Sequence, residues 1–215
     1  MTDLVSCIDV GHRFGSRREL FGGVDLTIGR HDSVAITGPS GVGKSTLLSF
    51  IGGIASPDLG VVRHSQPARK GEERLSSIAW VLQTGNVLGN RSVLSNIALP
   101  AVLAGQARGV AASRAEAVAS QLGIDSLLNN RARTLSGGEL QRVSIARSLA
   151  SSPDLILADE PTGQLDTTTS ETVVEALLGA SSPHRPAVVV VTHDLRVAQA
   201  CERHYELTST GLQQW

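Results

Sequence analysis

Short apolar runs bounded by turn residues dominate the hydrophobic pattern of this chain. The clearest of them are residues 34–36, 78–82, 155–158 and 187–191, which are apolar throughout. Runs of this kind are typical of strands covered on both faces, as in a parallel sheet with helices on either side. The pattern therefore predicts an α/β fold with a mostly parallel central sheet.

Two further segments follow a different pattern. Residues 24–28 alternate apolar and polar positions, which favours a half-exposed strand. We expect this strand in an antiparallel N-terminal β subdomain. Residues 205–215 contain turn residues around Thr210 and Gly211, which predicts a terminal hairpin.

The middle of the chain, from about residue 86 to about residue 150, has helical spacing and is rich in Ala, Ser and Arg. One predicted helix ends before Gly123, since glycine commonly follows the last helical residue. Its positions with helical spacing are Val110, Arg114, Val118 and Leu122. A second, over residues 138–150, has on one side Leu140, Val143, Ala146, Leu149 and Ala150. We interpret residues 86–150 as a helical subdomain inserted in a single domain, residues 1–215.

Composition narrows the classes of function. The chain has 215 residues, which fits one domain, and a formal net charge of −1 without a block of Lys or Arg. This balance argues against a protein that binds nucleic acid mainly by neutralising phosphates. Cys7 and Cys201 lie far apart, so neither a disulfide framework nor a zinc site is indicated, and a reducing compartment fits.

The chain shows no signal for secretion or membrane insertion. Its first residues include an acid and no basic flank, unlike a secretory signal. The longest apolar candidate, residues 97–104, contains Pro100 and falls short of the roughly 18 residues that suggest a membrane span. We therefore expect a cytoplasmic protein whose connection to a membrane is made through a partner.

Candidate chemistry begins at residues 38–45, which match the phosphate-loop pattern G-x-x-x-x-G-K-[ST] between a strand-like run and a helix-like run. Glycines let backbone N–H groups turn toward phosphates, and the helix N-terminus adds partial positive charge. Lys44 is expected to reach the β- and γ-phosphates and the Ser45 hydroxyl to bind Mg²⁺. The predicted nucleotide-binding residues here are Gly38, Pro39, Ser40, Gly41, Val42, Gly43, Lys44, Ser45 and Thr46.

Two acids follow the apolar run at residues 155–158. Carboxylates at the end of a buried strand are costly unless something uses them. Behind a phosphate loop, Asp159 is expected to hold the magnesium shell and Glu160 to polarise the attacking water as general base. Taken alone, this pattern often marks only a strand that ends in solvent.

Residues 135–139 read Leu-Ser-Gly-Gly-Glu and are followed by Gln141 and Arg142. Ser136, Gly137 and Gly138 stand at the start of a predicted helix, where hydroxyl, N–H groups and helix dipole converge on an anion site. Since residues 38–45 already provide a phosphate site, this would be a second anion site in the same chain. The motif resembles the signature of the ABC (ATP-binding cassette) ATPase family, in which it closes over the γ-phosphate bound to the other protomer.

The resemblance extends over essentially the whole chain and implies further site residues. Gln83 matches the Q-loop glutamine, which contacts magnesium or the water and borders the groove for the membrane partner. Asp166 matches the D-loop aspartate that crosses the dimer interface, and His193 matches the switch histidine that contacts the γ-phosphate. Phe14 stands where the family often has an aromatic ring stacked on adenine, although a hydrophobic turn residue is nearly as good an interpretation. Viewed alone, Gln83 and His193 would be ordinary strand ends.

The family resemblance implies an Mg²⁺-dependent ATPase in which two copies sandwich two ATP molecules and act on a separate membrane permease. Residues 95–100 and 158–163 are similar to the branch that serves lipoprotein release, macrolide or peptide export and a cell-division transporter-like complex. Gln164 and Leu140 depart from the pattern of that branch without removing a catalytic group. Val87, Leu88, Leu94 and Ile97 are candidates for the docking groove of the permease, although core packing is the safer interpretation for any one of them.

Three other functions compete with a transport ATPase. A soluble ABC-type ATPase that acts on nucleic acid or ribosomes usually has a coiled-coil insert, zinc modules or two tandem cassettes, and none is visible in the sequence. A nucleotide kinase would explain neither the signature nor His193. A catalytically inactive subunit is disfavoured because Lys44, Glu160 and His193 are present. The cargo, and whether the complex exports it or transmits a mechanical signal, stay open at this point.

Overall fold

The computed structural model describes residues 3–14, 18–65, 78–83, 86–179 and 185–215. The strands in these residues are β1 (Asp3–Phe14), β2 (Arg18–Gly29), β3 (Ser33–Thr37), β4 (Leu59–His64), β5 (Ile78–Val81), β6 (Leu155–Asp159), β7 (Ala187–Val191), β8 (Arg203–Thr208) and β9 (Gly211–Gln214). The α-helices are α1 (Lys44–Ile51), α2 (Val93–Leu103), α3 (Arg108–Gln121), α4 (Gly137–Ala150), α5 (Thr167–Leu178) and α6 (Leu195–Gln199).

The central sheet has six strands in the order β5-β6-β7-β3-β8-β9. Every neighbouring pair from β5 to β8 is parallel, and β9 closes an antiparallel hairpin with β8. All residues of β3 and β7 are buried, because helices cover one face of the sheet and α1 together with β1 and β2 covers the other. The predicted parallel sheet and terminal hairpin are confirmed.

A second, three-stranded sheet has the order β2-β1-β4 and is antiparallel throughout. On β2, Val24, Leu26 and Ile28 are buried, while Asp25 and Thr27 face solvent. The alternation of residues 24–28 therefore reflects one face on the core and one in water. The N-terminal antiparallel sheet is confirmed.

Three helices, α2, α3 and α4, lie between β5 and β6. The helix predicted to end before Gly123 is confirmed as α3, in which Val110 is 60% exposed whereas Ala111, Ala115 and Ala119 are buried. The helix packs against α2 and α4 through these alanines, whose small side chains allow the backbones to approach closely. Helix α4 is buried on more than the expected side, and its buried residues include Gln141, Ser144 and Ser148.

The candidate docking residues lie within residues 87–97, which comprise the segment before α2 and the first residues of that helix. Leu88 is 48% exposed, and Val87 and Leu94 are half-buried against the core, as a docking surface allows. Ile97 is fully buried, so for this residue core packing, the safer of the two interpretations, is confirmed and a place in the groove is ruled out. The reason is that α2 turns this position inward against the other helices. None of the helices in the described part of the chain has the length and apolar character that a membrane crossing requires.

Gly52 follows α1 at a position where the surrounding residues leave no space for a side chain. A Cβ atom there would lie 2.1 Å from Cζ2 of Trp80 and 2.8 Å from Cδ1 of Leu157. We expect Gly52→Ala to destabilise the protein by about 1–3 kcal/mol because α1 must move away from β5 and β6. Thermal unfolding followed by circular dichroism should show a melting temperature lower by at least about 2 °C.

The control is Gly109→Ala in α3, where an added Cβ meets nothing within 4 Å. Alanine favours a helix by up to about 1 kcal/mol over glycine, so this variant should melt at or above the temperature of the native chain. Equal melting temperatures for Gly52→Ala and the native chain would contradict the packing described for Gly52.

Candidate functional site

The carboxyl ends of β5, β6, β7 and β3 meet at one edge of the central sheet. Val81 pairs with Ala158, Asp159 pairs with Val191, and Val191 also pairs with Ile36. Ligands of open α/β sheets bind beyond this edge. The predicted site residues that follow these strand ends are Gly38, Gln83, Glu160 and His193.

The segment from Gly38 to α1 is a loop built for an anion. Gly43 caps the start of α1 without a side-chain hydrogen bond, so the first N–H groups of the helix remain open to a ligand. Gly38 and Gly43 have φ angles of 138° and 105°, in the region that favours glycine. A Cβ atom would lie 2.5 Å from the Leu207 carbonyl oxygen at Gly38 and 2.7 Å from the Phe21 ring at Gly43.

Lys44 lies across this loop rather than in solvent. Its Nζ donates hydrogen bonds to the carbonyl oxygens of Gly38, at 2.8 Å, and Pro39, at 3.0 Å. A half-buried ammonium group is thus held over the space that the loop encloses. The other predicted loop residues are exposed or half-buried around it, namely Ser40, Gly41, Val42, Ser45 and Thr46.

Within the described residues, the oxygen-bearing side chains of Asp159, Ser45 and Gln83 at this edge have no hydrogen-bond or ion-pair partner. The Asp159 carboxylate is half-buried, and within the described residues it makes neither a hydrogen bond nor an ion pair. The Ser45 hydroxyl and the Gln83 amide, both exposed, are likewise free of hydrogen bonds to that part of the chain. Carboxylate, hydroxyl and amide oxygens suit Mg²⁺, and a half-buried carboxylate without a counter-charge favours a cation.

Glu160 contacts His193 across the ends of β6 and β7. Nδ1 of His193 lies 2.8 Å from Oε1 of Glu160, whose side chain is 15% exposed, whereas that of His193 is 77% exposed. The other carboxylate oxygen accepts from the Thr192 hydroxyl at 3.3 Å and from the His193 N–H at 3.4 Å. Glu160 has a positive φ of 47°, a backbone conformation that is uncommon outside glycine.

Thr192 was not among the predicted site residues. Its hydroxyl donates to Glu160 and accepts from the Asp194 N–H at 3.0 Å, so it joins the acidic loop to the histidine loop. The signal available in the sequence was its place directly before His193 at a strand end. That signal is weak because threonine is common in strands.

The signature residues form the tip of α4. Ser136 is the N-cap, and its hydroxyl accepts from the Glu139 N–H at 3.4 Å while Glu139 Oε2 accepts from the Ser136 N–H at 2.8 Å. The Ser136 hydroxyl is also 2.8 Å from the same carboxylate oxygen, to which it donates. Hydrogen bonds from the N–H and then the hydroxyl of Ser136 hold the pKa of Glu139 below its usual value.

The tip of α4 is separate from the phosphate loop of the same chain. Within the described residues, no hydrogen bond or ion pair joins residues 136–139 to residues 38–46. The tip instead lies against the loop before α5, since a Cβ atom at Gly137 would lie 2.8 Å from Oε1 of Gln164. At Gly138 it would lie 3.2 Å from Cδ2 of Leu165.

Asp166 caps α5, and its side chain is engaged locally. Its carboxylate accepts from the Thr169 N–H at 3.0 Å and from the Thr169 hydroxyl at 2.7 Å. These bonds, the backbone one first, hold the pKa of Asp166 below its usual value. Phe14 ends β1, where its backbone pairs with Arg18. Its side chain lies outside the described part, so the prediction that it stacks on adenine stays a prediction.

Comparison with known proteins places the chain among transport ATPases. A family model described as ABC transporter matches residues 21–163. The chain is 38% identical over 203 residues to the lipoprotein-releasing system ATP-binding protein LolD of Xylella fastidiosa strain Temecula1, which covers 91% of this chain and 85% of that protein. It is 41% identical over 201 residues to the macrolide export ATP-binding/permease protein MacB 1 of Aeromonas hydrophila subsp. hydrophila, covering 90% of this chain and 31% of that protein.

A solved structure has the same fold over nearly the whole chain. It is the dimeric post-hydrolysis state of an ATP-binding cassette bound to ADP and Pi, with a TM-score of 0.87 and 31% sequence identity. The superposition covers 99% of this chain and 98% of that one.

Proposed function

The chain belongs to the ABC transporter family, and on that premise we propose that it is the ATP-hydrolysing subunit of a transport complex. The observation that carries this function is the contact between Glu160 and His193 at the sheet edge where the phosphate loop also begins. A carboxylate and an imidazole held beside a phosphate site are the groups needed to activate water there. A protein that only bound ATP would not need this carboxylate and this imidazole.

ATP occupies the loop between β3 and α1. The N–H groups of residues 38–46 and the open start of α1 bind its phosphates, and Lys44 exchanges its two carbonyl partners for phosphate oxygens. The exchange replaces neutral acceptors by charged ones, which strengthens the hydrogen bonds. Phe14 stacks on the adenine ring.

Hydrolysis is assisted by Glu160. Its carboxylate accepts a proton from the attacking water, and His193, hydrogen-bonded to the same carboxylate, is oriented toward the γ-phosphate. Gln83 follows β5 next to β6 and positions the water from the opposite side. Because His193 is mostly exposed, it gains its full effect when a second subunit covers the site.

Mg²⁺ would be held by Ser45, Gln83 and Asp159, whose side-chain oxygens lack other partners within the described residues. When bound, Mg²⁺ would neutralise charge on the phosphates.

The domain comprises residues 1–215, with residues 86–150 as its helical subdomain.

Two copies bind two ATP molecules between them. Ser136, Gly137 and Gly138 at the tip of α4 contact the γ-phosphate held by the partner, and Asp166 crosses the interface beside them. This arrangement agrees with the separation of the tip from its own phosphate loop and with the dimeric cassette that bears ADP and Pi.

Closure of the dimer drives a separate membrane permease, which selects the cargo. The protein is cytoplasmic and peripheral on the inner face of the membrane, and it contacts the permease beside Gln83 and through the exposed Leu88. The related proteins named for lipoprotein release and macrolide export favour export of such cargo. A nucleic-acid- or ribosome-associated ATPase is not favoured by any of these matches.

The magnesium role of Asp159 is tested by ATP binding with Mg²⁺ and with EDTA. We expect Asp159→Asn to weaken ATP binding in Mg²⁺ by about 10- to 100-fold, the usual loss of metal affinity when a group that supports a metal site is replaced. In EDTA the variant and the native chain should bind ATP alike. Isothermal titration calorimetry of the full chain measures both.

The matched control is Asp154→Asn, at the other end of the same strand. Asp154 is half-buried and pairs with Arg30 at 3.0 Å, away from the phosphate loop. It should lose a little stability and keep the response to Mg²⁺. An Asp159→Asn variant that responds to Mg²⁺ as the native chain does would remove Asp159 from the metal site.

A further inference from the structure

Gln141 makes a buried bridge that the proposed mechanism does not use. It lies in the first turns of α4 with 1% of its surface exposed. Its Nε2 donates to the carbonyl oxygen of Leu82 at 3.3 Å and to that of Pro161 at 3.2 Å. One amide group therefore joins α4 to the ends of both β5 and β6.

The two acceptors stand next to predicted site residues in the chain. Leu82 directly precedes Gln83, and Pro161 directly follows Glu160. The pairing of β5 with β6 ends at Val81, so the Leu82 carbonyl lies beyond the ladder. Gln141 thus supplies a donor at a place where the sheet supplies none.

The oxygen end of the Gln141 amide has no hydrogen-bond partner within the described residues. Both partners are acceptors, so only the NH₂ end can face them, and Oε1 points away. Among the described residues Oε1 has no hydrogen-bond partner although it is buried. A buried acceptor without a partner is destabilising. An apolar side chain would remove this penalty but would leave the carbonyls of Leu82 and Pro161 without this donor, so what the glutamine contributes here is the bridge to the two strand ends.

We propose that Gln141 is a positioning residue that couples the signature tip to the catalytic loops of its own chain. The inference rests on the proposed function and extends it. Gln141 lies four residues, or about one helical turn, after Gly137 at the start of α4. A displacement of the tip on closing over the partner's nucleotide moves the Gln141 amide with it. Through the two carbonyls the movement reaches Gln83 and Glu160 together.

The test is Gln141→Met, which keeps the length of the side chain and removes both donors. We expect kcat of ATP hydrolysis by the full chain to fall about 10- to 100-fold, with the Kd for ATP unchanged within about twofold, because the phosphate loop is not touched. Gln141→Leu is a second variant without a donor, and it should show the same split.

The matched control is Ser148→Ala. Ser148 is also buried in α4 and donates to the carbonyl oxygen of Trp80 on β5 at 2.9 Å, but it lies about two turns further from the site. It should lower the melting temperature and leave kcat within about twofold.

Two results would overturn the proposal. One is a Gln141→Met protein that loses stability but keeps kcat within twofold. The other is a Ser148→Ala protein whose kcat falls as far as that of Gln141→Met. Failure of the proposed function is recognised separately, because the native chain would then show no hydrolysis that Glu160→Gln removes.

Discussion

Glu160→Gln should bind ATP as the native chain does and hydrolyse it about 10²–10⁴ times more slowly, the usual contribution of a positioned general base. The amide keeps the size of the side chain and still accepts from Thr192 and the His193 N–H, so the loop between β6 and α5 should keep its shape. It has no charge with which to take the proton of water. Initial rates of phosphate release, with ATP binding by calorimetry, separate the two effects.

Glu160→Gln has a visible consequence for assembly. Because ATP is bound and not consumed, the sandwich should persist, and gel filtration should show a dimer that depends on ATP and Mg²⁺. The control is Glu175→Gln on α5, an exposed acid away from the strand ends, which should hydrolyse ATP normally. Turnover by Glu160→Gln within tenfold of the native rate would show that another group takes the proton.

Ser136→Arg is the second change with a large expected effect, since it places a bulky side chain on the tip that must enter the partner's site. It also removes a hydroxyl donor from the γ-phosphate, and loss of one such donor typically lowers kcat about 10²–10³-fold. Turnover should fall by at least that factor, while binding of ATP to the single chain is retained. The measurement is steady-state hydrolysis at a protein concentration that supports dimers.

The loss of a helix cap must be separated from the loss of the shared site. Replacing a serine N-cap destabilises a protein by about 1 kcal/mol. Ser92→Arg is the matched control, because Ser92 caps α2 and its side chain accepts from the Ser95 N–H at 3.1 Å. In a Glu160→Gln background, ATP should dimerise the Ser92→Arg chain and leave the Ser136→Arg chain monomeric. A dimer in both would contradict the sandwich.

Local sequence patterns sufficed for the parallel sheet, the antiparallel N-terminal sheet and the phosphate loop. Fully apolar runs, alternating runs and a glycine pattern between strand and helix each reflect interactions within a few residues of chain. The capped start of α4 at Ser136 is of the same kind, because a capping box joins residues three apart.

The faces of helices were less well predicted. Helical spacing singled out Val110, Arg114, Val118 and Leu122 in α3, whereas the helix exposes Val110 and buries Ala111 and Ala115. Helical residues four apart are offset by about 40°, so the row from Val110 to Leu122 drifts around the helix and does not mark one face. Which residues face inward was decided by how closely α3 can approach α2 and α4.

From its sequence this chain could be recognised as an α/β protein with a phosphate loop, an acidic strand end and a spare anion site, since each arises from contiguous residues. The contact of Glu160 with His193 and the bridge from Gln141 to Leu82 and Pro161 were decided by tertiary structure alone. Their partners lie far apart in the chain, where hydrophobic period and motif spacing carry no information. They meet because parallel pairing brings the strand ends to one edge and α4 packs beside it.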